Sequence, residues 1–272
     1  MVRRGMAPSR ERAQAAIASG RVLVGGTVAT KAARLVDPAQ AIVVQGPGPR
    51  FVSRAGDKLD GALDRFEVDV TGLRVLDAGA STGGFSDCLL QRGAARIVAV
   101  DVGYGQLHER VAGDRRVRVL DRTNVRHLDA AQVGEPIDLV TADLSFISLR
   151  LVVDALVSVL TPEGQVVSLV KPQFEAGREV VARGKGLVRD PEVWTDVLEE
   201  VTSAFEECGA TIMGVMVSPI TGADGNVEFL LHARRGGVPG PDRGALVAAA
   251  VAEAVTRELP GETTGDSAEG ND

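Results

Sequence analysis

Val75-Leu76-Asp77-Ala78-Gly79-Ala80-Ser81-Thr82-Gly83-Gly84-Phe85-Ser86 reads as an apolar strand running into a glycine-rich turn and then a helix. Glycine permits the tight turn and lets backbone approach a ligand closely. In open α/β sheets, ligands gather at the carboxyl end of such a first strand. Working outward, a strand is predicted at Leu73 to Asp77, a helix at Gly83 to Arg92 and a strand at Ile97 to Asp101. Further strands are predicted at Val117 to Leu120, Ile137 to Ala142 and Gln165 to Val170, with helices at about Leu149 to Leu160 and Pro191 to Cys208. Alternation of this kind, with continuous apolar strands, implies a doubly wound, mainly parallel sheet with helices on both faces. Thr211 to Ser218 and Val227 to Ala233 then follow without an intervening helix, which predicts a closing hairpin. The expected fold class is therefore α/β and Rossmann-like, with a mainly parallel seven-stranded sheet ending in an antiparallel pair.

The glycine loop does not have the Gly-x-Gly-x-x-Gly spacing of dinucleotide sites. Asp77 stands just before Gly79, which suits a cationic amino-acid ligand better than a pyrophosphate, and S-adenosylmethionine carries both an ammonium and a sulfonium. The candidate cofactor residues of this turn are Asp77, Gly79, Ser81, Thr82, Gly83, Gly84 and Phe85. Asp101 ends the second strand, about 20 residues on, where a carboxylate can accept both ribose hydroxyls. Val102 follows it, and Arg122, Thr123 and Asn124, after the third strand, are the expected neighbours of the adenine. Asp101 could instead cap a helix after Gly105, and Asp121 could be a plain turn residue.

Four further residues stand out: Lys58, Asp143 in Ala-Asp-Leu-Ser-Phe, Lys171 in Val-Lys-Pro-Gln-Phe, and Glu228 in Asn-Val-Glu-Phe. Asp143 and Lys171 fall at the carboxyl ends of the fourth and fifth strands, on the ligand-binding rim. Taken singly, each would read as an ordinary ion-pair partner. Their placement after successive strands makes them a candidate set, with Asp143 also counted among the cofactor residues.

Charge divides the chain. Residues 1 to 58 hold ten Lys/Arg against three Asp/Glu, whereas the remainder holds twenty against thirty-four. A basic module on an acidic body is the footprint expected of nucleic-acid binding. At the N-terminus, Ser9 can cap a helix from Arg10 to about Ser19, stopped by Gly20, and Arg21-Val-Leu-Val-Gly-Gly reads as a strand and turn. Arg3, Arg4, Arg10, Arg12 and Arg21 flank this unit at a density suited to phosphate contacts. Gln45-Gly-Pro-Gly-Pro-Arg reads as a linker. No apolar run approaches the length of a membrane span, and no secretory signal is evident, so a cytoplasmic protein is expected. Cys88 and Cys208 have no metal-ligand spacing to any histidine and read as packed, reduced thiols; no metal is expected.

The opening Val-Arg-Arg-Gly-Met-Ala-Pro-Ser-Arg-Glu-Arg-Ala with Ile-Ala-Ser-Gly-Arg-Val-Leu-Val-Gly-Gly resembles the RNA-binding module of the small-subunit ribosomal protein S-four and pseudouridine synthases. It departs from that pattern in lacking the usual Arg-Leu-Asp opening, as though its first helix were clipped. From Phe51 to Arg235, Ser-Arg-Ala-Gly-Asp-Lys-Leu, Leu-Asp-Ala-Gly-Ala-Ser-Thr-Gly-Gly-Phe-Ser, Asp-Val-Gly-Tyr-Gly-Gln-Leu, Ala-Asp-Leu-Ser-Phe-Ile-Ser and Leu-Val-Lys-Pro-Gln-Phe-Glu resemble the TlyA or haemolysin-A family of rRNA 2′-O-methyltransferases, within the FtsJ-like group. The resemblance implies a class I methyltransferase fold and a Lys-Asp-Lys-Glu tetrad at Lys58, Asp143, Lys171 and Glu228. It also implies S-adenosylmethionine as cofactor, ribosomal RNA or ribosomal subunits as partner, and a cytidine ribose in 23S, and in some members 16S, rRNA as target. A ribose 2′-hydroxyl is a poor nucleophile at neutral pH, so it needs a positioned base or a cationic neighbour, which the lysines can supply. The implied boundaries are 1 to 47 for the RNA-binding domain, 48 to 63 for a linker and lead-in helix, 64 to 235 for the methyltransferase domain, and 236 to 272 for a linker, short helix and disordered acidic tail.

Two other classes compete. A pore-forming haemolysin would need a membrane-active amphipathic segment, and none has the required lysine-rich polar face. A non-catalytic RNA-binding protein would show damage to the tetrad or glycine loop, and both are intact.

Overall fold

The computed structural model describes residues 1–7, 10–46, 48–222, 224–237 and 239–258, with the side chains of residues 11, 12, 15 and 258 also left aside. The expected Ser9 cap and the acidic tail from Gly261 lie outside the described residues. The chain divides into two compact units, Met1–Arg50 and Phe51–Asp272.

In the first unit a 3-10 turn, Val2–Arg4, precedes α1 (Arg10–Ala18), β1 (Val22–Val24), β2 (Thr27–Val28) and β3 (Ile42–Val44). The strands form an antiparallel sheet in the order β2-β1-β3. Gly25 and Gly26 both have positive φ, 58° and 83°, which is what a two-residue hairpin with right-twisted strands requires. Ala16, Val22, Val24 and Ala29 make up its small core.

The second unit opens with α2 (Ala55–Arg65), then β4 (Arg74–Ala78), α3 (Gly84–Gln91), β5 (Arg96–Val100), α4 (Glu109–Ala112) and β6 (Val117–Leu120). It continues with α5 (Ala130–Val133), β7 (Ile137–Ala142), α6 (Val153–Ser158), β8 (Leu160–Val170), α7 (Pro172–Glu175) and α8 (Arg178–Arg183). Last come α9 (Pro191–Glu207), β9 (Ala210–Val217), β10 (Phe229–Arg235) and α10 (Arg243–Glu258). Seven strands form one sheet in the order β6-β5-β4-β7-β8-β10-β9, parallel through β8, with β10 antiparallel to both β8 and β9. This is the parallel sheet with a closing antiparallel pair that the sequence predicts.

Alternation along the strands builds two cores. Leu76, Val98, Val140 and Val166 join the larger cluster, with Trp194, Val197, Val201 and Phe205 of α9. Their neighbours Val75, Ile97, Leu139 and Val167 join the other, with Leu59 and Leu63 of α2 and Leu89 of α3. Each fully buried large side chain contributes about 1.5 to 3 kcal/mol. Trp194 fills its site edge-on to Phe229, and its indole N–H donates to the Val188 carbonyl at 3.0 Å.

Two expectations are corrected. The helix predicted from Leu149 to Leu160 is a 3-10 turn, Leu149–Leu151, followed by α6, and Leu160 already pairs in parallel with Ile137. The β-branched Val152-Val153 and Val157-Val159 weaken helix continuation, and sheet pairing takes the end of the segment. The short helix expected after Gly236 is a 16-residue one, α10. Its alanine-rich sequence favours helix, and Val247, Ala250, Val251 and Ala254 bury one stripe of it.

Candidate active site

Strand ends place the glycine loop, Asp143, Lys171 and Glu228 on one rim, and α2 brings Lys58 to Glu228. The Asp143 amide donates to the Ala78 carbonyl at 2.9 Å, which puts the end of β7 directly against the end of β4. Gly79 (φ 80°) turns between them, and a Cβ there would stand 2.5 Å from the Asp143 carbonyl oxygen. Only glycine fits. Gly84 is equally constrained, since a Cβ would lie 2.1 Å from Ser53 Oγ where α3 meets the segment before α2.

Asp101, just past β5, accepts from the Ser81 amide at 2.8 Å and from the Gly103 amide at 2.7 Å. It does not cap a helix; α4 is capped by His108. Asp101 therefore sits between the glycine loop and the 102–105 turn, with lone pairs left to accept hydroxyl donors. Val102 and Tyr104 project into solvent, and the Arg122 guanidinium lies 4.5 Å from the Tyr104 ring centroid. Arg122 has a positive φ of 53°, fixed by its amide donating to Gly103 and that of Thr123 to Asp101. Asn124 spends its side-chain oxygen on the Arg126 amide, capping a 3-10 turn.

Asp77 and Phe85 are placed differently from the other loop residues. The Phe85 ring is in the apolar core with Leu59 and Leu89, so only its backbone borders the rim. Asp77 is 0% exposed, accepting from Ser86 Oγ at 2.5 Å and Thr141 Oγ1 at 3.4 Å. It lies beneath the loop and ties α3 to the sheet, so direct contact with a ligand ammonium is not what its enclosure favours. Burial pushes its carboxyl up to about 7, and the nearby Asp143 charge adds to this, against the hydrogen bonds from Ser86 and Thr141.

That shift makes a prediction. Between the unfolded carboxyl value of 3.8 and about 7, the native state holds a proton that the unfolded chain has lost. The stability this group contributes is full below the lower value and is lost as pH rises through the upper one. His232, lowered from 6.5 to about 4 by burial and then by Arg234, works in the opposite sense, its contribution being lost as pH falls. Subtraction separates the two: the thermal midpoint of Asp77→Asn minus that of wild type should grow steadily as pH rises across Asp77's window. A difference that stays flat with pH would refute the buried, proton-holding carboxyl.

The tetrad forms two ion pairs. Lys58 of α2 reaches Glu228 Oε2 at 2.5 Å, with both residues buried, and Lys171 Nζ lies 2.6 Å from Asp143 Oδ1. Lys171 directs its hydrogen bond to Ser145 Oγ at 3.0 Å. Glu228 precedes Phe229, which pairs with Val170, so Glu228 lies across the β8–β10 step from Lys171. Gly222 leaves room for the Glu228 carboxylate, since a Cβ there would stand 2.5 Å from its Oε1. Nearby, buried Asn226 accepts from the Val188 amide at 2.9 Å and donates to the Gly186 carbonyl at 2.9 Å, fixing the chain after α8.

Sequence reasoning passed over several rim residues: Ser86 and Thr141 around Asp77, Ser145 and Phe146 after Asp143, and Phe174 and Glu175 after Lys171. Phe146 is 90% exposed with φ 63°, and its ring centroid is 5.2 Å from that of Phe174. The signal was available, because both stretches belong to strings already singled out, but pattern alone gives no exposure.

In the N-terminal unit, Arg3 and Arg10 are exposed. Arg4 donates to the carbonyls of Gln40 at 2.9 Å and Pro38 at 2.7 Å, so it staples the N-terminal turn to the loop before β3. Arg21 is half-buried and donates to Ser19 Oγ at 3.0 Å, and the Arg12 side chain lies outside the described residues. Among the described residues no group of three His, Cys, Asp or Glu could hold a metal ion, and no helix is long and apolar enough to cross a membrane. Cys88 is buried, its thiol 3.9 Å from Asp60 Oδ1, and Cys208 is half-buried.

Residues 51–235 match the family model of FtsJ-like methyltransferases, and residues 1–42 that of the S4 domain. The chain is 47% identical over 235 residues to the 16S/23S rRNA (cytidine-2′-O)-methyltransferase TlyA of Mycobacterium tuberculosis, covering 86% of this chain and 87% of that one. It is 38% identical over 230 residues to hemolysin A of Brachyspira hyodysenteriae, covering 84% and 95% respectively. A solved structure from Streptococcus thermophilus that carries a hemolysin label matches with a TM-score of 0.75 at 38% identity, over 92% of this chain and 93% of that one.

Proposed function

This chain belongs to the FtsJ-like methyltransferase family, and from that premise we propose that it methylates the 2′-oxygen of a cytidine ribose in ribosomal RNA, with S-adenosylmethionine as donor. The observation that carries the reading is the pairing of Lys171 with Asp143 at 2.6 Å beside a glycine loop that only glycine at position 79 can form. The cradle at Gly79 and the accepting carboxylate of Asp101 fit the donor: backbone can approach its methionine part, and Asp101 can take its ribose hydroxyls. The donor, when bound, supplies a methyl group on a sulfonium, already a good electrophile. What remains for the protein is alignment and help with the proton.

Lys171 provides that help. An ammonium held by Asp143 stabilises negative charge developing on the 2′-oxygen. In its neutral form Nζ can instead accept the hydroxyl proton. Lys58 and Glu228, locked together across the adjacent strand, hold the wall of the site. Exposed Phe146 offers an aromatic face of the kind on which unstacked RNA bases settle. Arg3 and Arg10 of the N-terminal unit are candidates for phosphate contacts, which position RNA without reacting. The hemolysin label held by some relatives finds no membrane-crossing helix among the described residues.

The test is methyl incorporation into ribosomal subunits from cells lacking the gene, with the product mapped by primer extension. A new 2′-O-methylcytidine supports the reading; methylation of a base atom, or none, overturns it. A chain lacking residues 1 to 45 should keep cofactor binding while RNA affinity and its salt dependence fall together.

Asp101 gives a separate prediction. Calorimetry on Asp101→Ala should show cofactor binding weaker by about 1 to 3 kcal/mol, from lost charge-assisted hydrogen bonds and a loosened Ser81 amide. Unchanged affinity would remove Asp101 from the site.

A further inference from the structure

We infer that Glu175 is a positioning residue for methyl transfer, clasping the loop that carries Ser145 and Phe146 onto the short helix that follows Lys171. The inference rests on the proposed function and concerns its RNA side. Residues 143 to 149 and residues 171 to 175 run alongside one another and meet at three levels. Asp143 and Ser145 meet Lys171 at 2.6 and 3.0 Å. Phe146 meets Phe174, ring centroids 5.2 Å apart. Ser148 Oγ donates to Glu175 Oε2 at 2.5 Å, and the Leu149 amide donates to Oε1 at 2.7 Å.

The last level is more enclosed than the first, the Glu175 side chain being 2% exposed against 10% for Lys171 and 18% for Asp143. Glu175 is buried, both of its oxygens are engaged, and Arg150 Nε lies 3.7 Å from Oε2 while its NH1 pairs with Glu200 at 2.5 Å. Phe146, by contrast, is exposed and held in a left-handed conformation that a bulky residue adopts only when its surroundings impose it. The residue is 90% exposed and its ring meets that of Phe174. The backbone on its carboxyl side must therefore be fixed, and the two hydrogen bonds to Glu175 are what fix it. A carboxylate is suited to this task because it accepts twice at one point, once from a side chain and once from the main chain. The same clasp sets where Ser145 presents its hydroxyl to Lys171.

Among the described residues, the polar partners of Glu175 are Ser148, Leu149 and Arg150, away from the glycine loop and Asp101, so its loss should spare the cofactor. In the full-length protein, Glu175→Ala should slow single-turnover methylation of ribosomal subunits by about 10- to 100-fold, within the range that misplacement of a reacting group produces. Cofactor affinity should stay within about twofold, because the removed contacts lie elsewhere. Glu175→Gln should recover most of the rate, since its carbonyl keeps the Leu149 amide and Ser148 can accept from its amide. A second handle is Ser148→Ala, which removes one bond and leaves Glu175 satisfied by Leu149; it should give a smaller loss in the same direction.

Coupling distinguishes positioning from general support of the fold. If Glu175 acts through Phe146, the Phe146→Ala, Glu175→Ala double variant should be no slower than the slower single variant, because contacting residues that act together are not additive. Exchange of the Leu149 amide, read on the protein alone, should quicken in Glu175→Ala. The inference is overturned if Glu175→Ala methylates at the wild-type rate, if the two losses multiply, or if cofactor affinity falls as far as the rate does. A wild-type protein that leaves the RNA unmethylated overturns the function beneath it instead, and that failure is visible before any variant is made.

Discussion

Lys171→Ala should slow methyl transfer by roughly 10²- to 10⁴-fold, the usual worth of positioned proton-transfer assistance. Cofactor affinity should not move with it. The ammonium sits at the end of β8, 2.6 Å from Asp143 and 3.0 Å from Ser145 Oγ, and its polar partners among the described residues do not include Asp101 or the 102–105 turn. Removing it takes away the cation that favours the alkoxide and the atom that accepts the hydroxyl proton, and it leaves Asp143 without its counter-charge. Lys171→Arg is informative beside it, because a guanidinium keeps the charge but does not give up its proton. If charge alone matters, arginine should restore much of the rate; if Nζ must accept a proton, it should not. The measurement is single-turnover methylation by a variant shown to be folded, with calorimetry for the cofactor. A folded alanine variant working near the wild-type rate would end the assignment.

Glu228→Ala should instead be felt first in stability. Lys58 and Glu228 are both buried and 2.5 Å apart, so the substitution strands an ammonium away from water. Breaking a buried pair from one side costs about 3 to 5 kcal/mol, more than the pair itself is worth. In a domain of this size each kcal/mol moves the thermal midpoint by about 2 to 4 °C, so a fall on the order of 10 °C is expected. The control is the double variant Lys58→Met, Glu228→Leu, which replaces both charges with apolar groups and should recover much of the stability while remaining inactive. Calorimetric or circular-dichroism melts decide the matter. If Glu228→Ala melts with wild type, the pair is solvated in solution and its burial is not what holds it.

Most of the sheet was legible because its strands are continuous apolar runs flanked by glycine and helix signals, and pairing in a parallel sheet rewards just that pattern. Leu149 to Leu160 was not, since its valines serve a 3-10 turn, a short helix and a strand equally well, and only the neighbour of Leu160, Ile137, settles the matter. Lys58 and Glu228 could be named from the sequence but not joined, because they are 170 residues apart and nothing local says which carboxylate faces which lysine. Arg4 and Asp77 show the same limit in reverse. Arginine density suggested phosphate contacts for Arg4, while its actual partners are carbonyls of the distant loop before β3. Asp77 has the position of a ligand-facing carboxylate, yet complete enclosure turns it toward Ser86 and Thr141. Glu175 has no local signature, since what distinguishes it is two donors arriving from residues 26 and 27 positions earlier.

The strand nearest the chain's end is not at the sheet's edge. β10 lies between β8 and β9, pairing antiparallel with both, and Glu228 stands at its start. During synthesis, Lys58, Asp143 and Lys171 all leave the ribosome before the strand that completes their sheet. Until it does, Lys58 has no counter-ion and β8 has an open edge, with long-range pairing still to be made. A nascent or prematurely ended chain can thus fold its glycine loop and yet lack a finished reaction centre. The proposed reaction centre is completed late, on emergence of Glu228 and the strand that follows it, after the glycine loop and both lysines.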